Sequence, residues 1–226
     1  MRELKVAAAI ILVLTAACAN ASYIKKRLTT NKKGVWKGYV EYCEFKGDTP
    51  LIRLANAQIL KEAKADIASF IDDVNNLETK GESVSELEGS CWVELETPAL
   101  ISVRLGDARW PARYHPNFNT RRINVALVNG KPKVLTIKDI VRDPKKLLPV
   151  VAKSLVAGGK GDEPYKPLDF GIDDLQFLIH PKGLYFFFAQ GEIATAYVGP
   201  LFGEVPWRKV PGLRRDGPLR TLLSKK

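Results

Sequence analysis

The chain has 226 residues, of which 46% are apolar, and carries a formal net charge of +10. This composition excludes a disordered chain, and the length suits one domain or two small lobes. The positive charge favours anionic partners such as acidic lipid headgroups, anionic cell-wall polymers or nucleic acid.

The first 21 residues predict export from the cytoplasm. A basic start precedes an apolar run, Val6–Ala17, which is shorter than the ~20 residues that a membrane span needs. Ala19-Asn20-Ala21 fits a signal peptidase and predicts a signal peptide over residues 1–21. The sequence Leu14-Thr15-Ala16-Ala17-Cys18 is also similar to a bacterial lipobox, so cleavage before a lipidated Cys18 is an open alternative. A buried N-terminal helix is a third interpretation.

The cysteine count supports export whether the chain is cleaved after Ala21 or before Cys18. Once Cys18 is removed or acylated, only Cys43 and Cys91 remain. Two cysteines in an oxidising compartment usually pair, and closing this loop would stabilise the fold by about 4 kcal/mol. We therefore expect a Cys43–Cys91 disulfide, with two separate buried thiols as the alternative. A cysteine-based metal site is not expected because it needs more ligands.

The basic residues concentrate at the two ends of the exported part, whose net charge without residues 1–21 is +9. Residues 22–33 are predicted to be a basic linker and residues 211–226 a basic tail, both solvated. If Cys18 is lipidated, each basic residue of the linker held near an anionic membrane would contribute ~1 kcal/mol to binding. Membrane contact is expected only through that lipid anchor, and for an exported protein nucleic acid is not an expected partner.

The first half of the folded part alternates strands with one long helix. Residues 35–45 predict a strand that contains Cys43. Apolar residues from Ile59 to Val74 recur at helical spacing and predict an amphipathic helix that begins after Thr49-Pro50 or at Asn56. Residues 79–90 predict a polar surface loop, and strands are predicted over 91–96 and 100–105.

The second half predicts hairpins. Residues 123–127 and 134–137 flank Asn129-Gly130, a pair that accepts positive φ in a tight turn. Asp143-Pro144 opens a helical stretch whose regular part can start at Pro149. Residues 175–179 are expected to pair with 184–188. The fold class is therefore α+β: a largely antiparallel sheet with helices packed on one face, in an N-terminal lobe (34–130) and a C-terminal lobe (131–210) packed together.

The sequence gives little support for catalysis. The chain has two histidines: His180 begins a Pro-x-Gly turn, and His115 lies in a loop among aromatic and polar residues. Hydrolase, metalloprotease and nucleotide-binding motifs are absent. We expect a non-enzymatic protein without cofactor or metal. A hydrolase using Glu192 or His115 is a remaining alternative.

Two segments resemble a known family. The first runs from Pro98 through Tyr114-His115-Pro116 to Leu135-Thr-Ile-Lys-Asp-Ile140, and the second from Gly183 through Glu192-Ile-Ala-Thr-Ala-Tyr-Val-Gly-Pro200 to Trp207. Together they resemble the extracytoplasmic domain of unknown function shared by a lysozyme-sensing anti-sigma factor and the N-terminal region of a peptidoglycan deacetylase. The similarity covers about residues 42–209. It implies a free-standing envelope version of an α+β module.

The resemblance also indicates where a ligand would bind. The candidate binding residues are at the His-Pro loop and the Gly-Pro loop: Tyr114, His115, Tyr197, Gly199 and Pro200. Aromatic rings beside a few polar groups suit contact with sugar faces and hydroxyl groups. If the protein has a site, we expect it where these two loops meet.

Two functions follow as hypotheses. The first is a periplasmic or extracellular module, with or without a lipid anchor, that binds peptidoglycan or an associated anionic polymer. The second is a protein-binding module, similar to the lysozyme sensor, for which Asp66, Asp72 and Asp73 would supply a local acidic face. A charge of +9 speaks against a basic partner such as lysozyme within about 8–10 Å.

Overall fold

The computed structural model describes residues 22–76, 84–110, 116–157, 171–172, 175–189, 192 and 200–223. Within these ranges the chain forms ten strands in two sheets and four α-helices. None of the helices in the described ranges has the length and apolar character that a membrane crossing requires.

The first sheet has six strands in sequence order. They are β1 Tyr23–Lys32, β2 Trp36–Phe45, β3 Ser85–Thr97, β4 Leu100–Trp110, β5 Asn117–Val128 and β6 Lys131–Val134. Neighbouring strands are antiparallel except β2 and β3, which run parallel. The parallel pair exists because the long helix lies between these two strands in sequence and carries the chain back to the same end of the sheet.

That helix, α1 (Pro50–Asn75), covers one face of the six-stranded sheet. It begins where the sequence predicts: the Thr49 hydroxyl accepts a hydrogen bond from the Ile52 N–H at 3.2 Å, and Pro50 occupies the first turn. Its buried side chains recur every three or four residues and are Leu51, Ala55, Ile59, Ala63, Asp66, Phe70 and Val74. One helix face is therefore in the N-terminal core, and Asp66 is the charged group on it.

The second sheet has four strands, in the order β7, β10, β9, β8. Their bounds are β7 Leu155–Ala157, β8 Phe177–His180, β9 Gly183–Phe188 and β10 Leu201–Pro206. Three short helices accompany it: α2 Ile137–Ile140, α3 Leu148–Ser154 and α4 Arg220–Leu223. All pairs in this sheet are antiparallel. The fold is thus the predicted α+β class with a largely antiparallel arrangement.

The edge of the second sheet ends on the face of the first sheet that α1 leaves uncovered. The buried Asn124 amide donates to the Phe177 carbonyl at 2.7 Å, and the Ile179 N–H lies 3.0 Å from the Ser102 hydroxyl and 3.1 Å from Asn124 Oδ1. The Ser102 hydroxyl also donates to Asn124 Oδ1 at 2.7 Å. These contacts satisfy the free edge of β8, which fixes the two sheets relative to each other.

Two apolar cores result. One lies between α1 and the six-stranded sheet, and the other lies between the four-stranded sheet, α2, α3 and the C-terminal segment. Leu95, Leu100 and Ala126 belong to the first sheet but contribute to the second core. The predicted disulfide is present between Cys43 and Cys91, with a Cα–Cα distance of 5.9 Å, and lies inside the first core.

The predicted turns are confirmed, but the strand predicted over 134–137 is wrong: β6 is Lys131–Val134, and Ile137 begins α2. Asn129 and Gly130 have φ values of 51° and 74° at the turn between β5 and β6. Pro149 lies in the first turn of α3, after a short 3-10 turn at Pro144–Lys146. His180 is at the turn between β8 and β9, where its Nδ1 accepts from the Lys182 N–H at 3.3 Å.

Three further segments differ from the sequence prediction. The predicted basic linker over 22–33 forms strand β1 instead, because Arg27 lies opposite Glu41 and pairs with it at 2.6 Å while Leu28 is buried. The predicted loop over 79–90 is shorter, since β3 begins at Ser85 and buries Leu87. The predicted solvated tail packs from 211 to 223, where Leu219 is fully buried in the second core.

Candidate functional site

A groove lies on the uncovered face of the six-stranded sheet, beside the four-stranded sheet. Its volume is about 350 Å³. Aromatic side chains from both sheets and one proline line it, together with one arginine: Trp92, Arg104, Phe118, Phe187, Pro200 and Phe202. We call this site the aromatic groove.

Strand alternation places Trp92 and Phe118 on this face. Trp92 lies between Cys91 and Val93 in β3, and Cys91 points into the helix-covered core, so the indole must point the other way. The exposed fractions of Trp92 and Phe118 are 41% and 43%, which is unusual for rings of this size. Large apolar surfaces left in water at a concave site are typical of ligand-binding surfaces.

The Trp92 ring lies close over the backbone of β4. A Cβ atom added at Gly106 would come within 3.0 Å of the indole Cζ3 atom. The absence of a side chain at this position therefore lets the ring approach the sheet. Any larger residue would lift the ring and change the depth of the groove.

Arg104 joins the two sheets at the groove. Its Cζ atom lies 4.2 Å from the centroid of the Trp92 ring and 5.0 Å from that of Phe187. Its Nε donates to Glu94 Oε1 at 3.0 Å. A guanidinium stacked on rings contributes ~0.5–1 kcal/mol when exposed and keeps N–H groups for further partners. The arrangement provides a cation held in place between two aromatic groups.

Polar side chains make up much of the remaining lining. The groove is also bordered by hydroxyl, amide and carboxylate groups of Tyr39, Glu88, Ser90, Asn119 and Thr120. The Tyr39 ring is covered on one side by Arg27, whose Cζ lies 4.0 Å from its centroid. Rings with a few hydrogen-bonding groups around them match the chemistry of a ligand that has both C–H faces and hydroxyl or acidic groups.

The sequence-predicted binding residues fall partly within the described chain. Pro200 lines the aromatic groove. Tyr114, His115, Tyr197 and Gly199 lie outside the described residues, as does Cys18. Phe118, three positions after His115, lines the same groove as Pro200, which directly follows Gly199. The described neighbours of both predicted loops are therefore brought together, while contact between the loops stays a prediction.

Glu192, the residue considered for a hydrolase, has structural partners. Its Oε2 accepts from the Ala189 N–H at 2.6 Å and from Arg122 Nη2 at 3.3 Å. Arg122 also donates to Gln176 Oε1 at 2.7 Å, and burial lowers its pKa despite the nearby carboxylate. Among the described residues no group of three or more His, Cys, Asp or Glu side chains could hold a metal ion.

A buried charge cluster lies on the opposite, helix-covered face. Arg109 donates to Asp107 at 2.9 Å and to Asp73 at 2.7 Å, and Arg121 donates to Asp66 at 2.9 Å. Burial raises the pKa of Asp66 to about 6, Asp107 adds to the rise, and hydrogen bonding and attraction from Arg121 oppose it. Asp66 is therefore buried beside Arg121 and Asp73 pairs with Arg109, so of the three acidic residues considered for a protein partner only Asp72 and Asp73 lie on the surface.

Sequence reasoning missed Trp92, Arg104 and Phe118. A signal was available for Trp92: if Cys91 points inward to form the disulfide, its neighbour points outward. Nothing in the local sequence indicates that Phe187, in the other sheet, lies next to Arg104. That contact depends on how the two sheets pack.

Comparisons with known proteins agree on the fold. A DUF3298 family protein from Bacteroides fragilis has a TM-score of 0.56 and 15% identity, covering 97% of this chain and 100% of that one. One from Pseudomonas aeruginosa has a TM-score of 0.52 and 11% identity, covering 84% and 92%. No protein-family model and no curated protein matches the chain. The neighbours belong to a family of domains of unknown function, so the resemblance to such a domain is confirmed at the level of the fold.

Proposed function

We propose that the protein is a non-enzymatic module of the bacterial envelope that binds a cell-wall glycan in the aromatic groove. The observation that carries the proposal is the pair of exposed rings, Trp92 and Phe118, which line one groove together with an arginine stacked on Trp92. Sugar rings present C–H faces to aromatic rings and hydroxyl groups to polar side chains, and the groove provides both.

The positive charge of the protein supports an acidic wall component as the ligand. The exported part carries +9, and Arg104, which lines the groove, stacks on Trp92 and Phe187 and pairs through its Nε with Glu94. Carboxylates and phosphates are the preferred partners of a guanidinium. The proposed ligand is therefore peptidoglycan or a polymer attached to it.

Export is part of the same proposal. A Cys43–Cys91 disulfide persists in the periplasm or outside the cell but is rare in a reducing cytoplasm. The predicted signal peptide over residues 1–21, with lipidation at Cys18 as the alternative, would deliver the chain to that compartment.

The test is co-sedimentation of the purified protein with peptidoglycan sacculi at low and high salt. We expect retention that persists at high salt, because ring stacking is not screened, and a loss of about tenfold or more in affinity for Trp92→Ala, as is typical when an aromatic anchor is removed. Tyr197→Ala, in the predicted Gly-Pro loop, is expected to weaken binding as well.

A matched control is available in Val134→Ala. Val134 is an apolar side chain on the edge strand β6 that is 36% exposed and does not line the groove. It should bind like the wild type. Retention that salt abolishes, or that Trp92→Ala leaves unchanged in a folded protein, would overturn the proposal and indicate simple basic adhesion. No retention at all would overturn it too and favour a protein partner.

A further inference from the structure

A second, larger cavity lies on the outward face of the four-stranded sheet. Its volume is about 650 Å³, and it lies between the end of α3 and strands β9 and β10. Outward-facing residues of these strands form its floor, because Leu184, Phe186 and Phe188 alternate with them and point into the second core. Its residues from α3 and Lys209 do not line the aromatic groove.

The two cavities share a wall. Phe187 and Phe202 line both of them, and the two rings make an edge-to-face contact with centroids 4.1 Å apart. Neither ring is fully buried. A molecule that extends along the surface from the aromatic groove therefore passes over these two rings and enters the larger cavity without leaving aromatic surface.

The aromatic surface continues into the larger cavity. Tyr185 lies in it two positions before Phe187, on the same side of β9, and its ring stacks on His180 with centroids 4.3 Å apart and an interplanar angle of 17°. Burial raises the pKa of the Tyr185 hydroxyl, and the Glu204 carboxylate adds to the rise. The phenol therefore stays protonated at neutral pH, with the Glu204 carboxylate as its hydrogen-bond partner.

The larger cavity also carries positive charge. Lys153 from α3 and Lys209 line it and are exposed. Within the described part of the chain neither ammonium group forms an ion pair, and Glu204 is the acidic group beside them. Two lysines against one glutamate leave a net positive site that would attract a carboxylate.

We propose that the two cavities are subsites of one cleft that holds several units of a linear, anionic glycan. Sugar rings contact Trp92 and Phe118 at one end, the chain crosses Phe187 and Phe202, and its carboxylates lie near Lys153 and Lys209 at the other end. This inference rests on the proposed function. It adds that the ligand is an extended glycan chain rather than a short fragment. It also adds that the second subsite binds the carboxylates of this glycan.

The probes are peptide-free peptidoglycan oligosaccharides, which carry a carboxylate on every second sugar, and chitin oligosaccharides of equal length, which are neutral. Binding is measured by titration calorimetry for a disaccharide, a tetrasaccharide and a hexasaccharide. Affinity for the anionic series should rise by about tenfold or more with length, because a second subsite is engaged by a ligand that is already bound at the first.

Charge at the second subsite is tested with Lys153→Gln/Lys209→Gln. This double variant should lower affinity for the anionic hexasaccharide by about fivefold to tenfold and leave the chitin hexasaccharide and the anionic disaccharide unchanged. The control is Lys61→Gln/Lys64→Gln on the exposed face of α1, which removes the same charge on the far side of the sheet. It should change none of these affinities by more than about twofold.

The outcomes separate the two proposals. Equal affinity for all lengths, or equal effects of the two double-lysine variants, would overturn the two-subsite cleft even if Trp92→Ala still abolished binding. If the folded wild-type protein binds none of the oligosaccharides, the proposed function itself is wrong. Increase with length, a loss confined to Lys153→Gln/Lys209→Gln, and a loss in both series for Trp92→Ala would support both.

Discussion

The two faces of the six-stranded sheet are built from alternate residues of the same strands, yet their side chains differ in burial. In β4, Val103 and Leu105 point toward α1 and are fully buried, whereas Arg104 between them points to the aromatic groove and is partly exposed. The helix-covered face also encloses charges, but each of its arginines has carboxylate partners. On the groove face Trp92 and Phe118 remain open.

The difference shows which side is built for stability. Full burial of rings such as Trp92 and Phe118 would stabilise the fold by roughly 1.5–3 kcal/mol each. On the groove face these rings stay exposed, so this stabilisation is not gained. The helix side instead accepts the cost of burying charged groups and offsets it with ion pairs. We infer that mutations on the helix-covered face will mainly change stability, and mutations on the groove face will mainly change binding.

The largest expected effect is on the helix-covered face. Arg109→Met removes the partner of the buried Asp107 carboxylate and of Asp73, and leaving a buried charge unpaired costs about 3–5 kcal/mol. Urea denaturation should show that loss in the free energy of unfolding. Arg53→Met is the control, because Arg53 forms an exposed pair with Asp48 at 2.9 Å, and such pairs contribute about 1 kcal/mol or less. Equal losses in the two variants would contradict the assignment of Arg109 to a buried cluster.

A smaller effect should appear as a pH dependence on the same face. The folded-state pKa of Asp66 is raised from 3.8 to about 6, so the folded protein binds more protons than the unfolded chain between these values. Its stabilising contribution is therefore greatest at low pH and is lost as pH rises through about 6. The unfolding free energy of the wild type, minus that of Asp66→Asn, should fall over this interval and then level off. A difference that rises with pH would show that the ion pair with Arg121 outweighs burial.

The smallest effect on stability is expected on the groove face. Phe118→Ala removes a ring that is 43% exposed, and substitutions at exposed positions usually change stability by about 0.5 kcal/mol. Its thermal midpoint should stay near that of the wild type, while its retention on sacculi should fall. A large drop in the midpoint would mean that the ring packs as part of the fold, and the contrast between the two faces would then disappear.

Several parts of the fold could be predicted because their signals are local. The start of α1 at Thr49-Pro50 and the turn at Asn129-Gly130 depend on side chains that act within a few residues. The parallel pairing of β2 with β3 and the strand at Tyr23–Lys32 were not predicted. In β1 the basic residues suggested a solvated linker, and only the acidic partners Glu41 and Glu44 on β2 make a paired strand favourable.

The residues of the candidate site also differ in whether the sequence could indicate them. Family resemblance led to Pro200 through its motif, and Pro200 lines the groove. Trp92, Arg104 and Phe118 belong to strands whose sequences show no motif. Their role becomes visible only when the uncovered face of the sheet is known.

The sequence by itself determined the α+β class, the long amphipathic helix, the hairpins and the Cys43–Cys91 pairing, since these depend on local spacing, turn chemistry and a count of two cysteines. Only the tertiary structure decided that the edge of the second sheet meets the first through Ser102 and Asn124, and that Arg104 lies between Trp92 and Phe187. Strand alternation fixes which residues share a face, but the packing of one sheet against another decides which face stays open to a ligand.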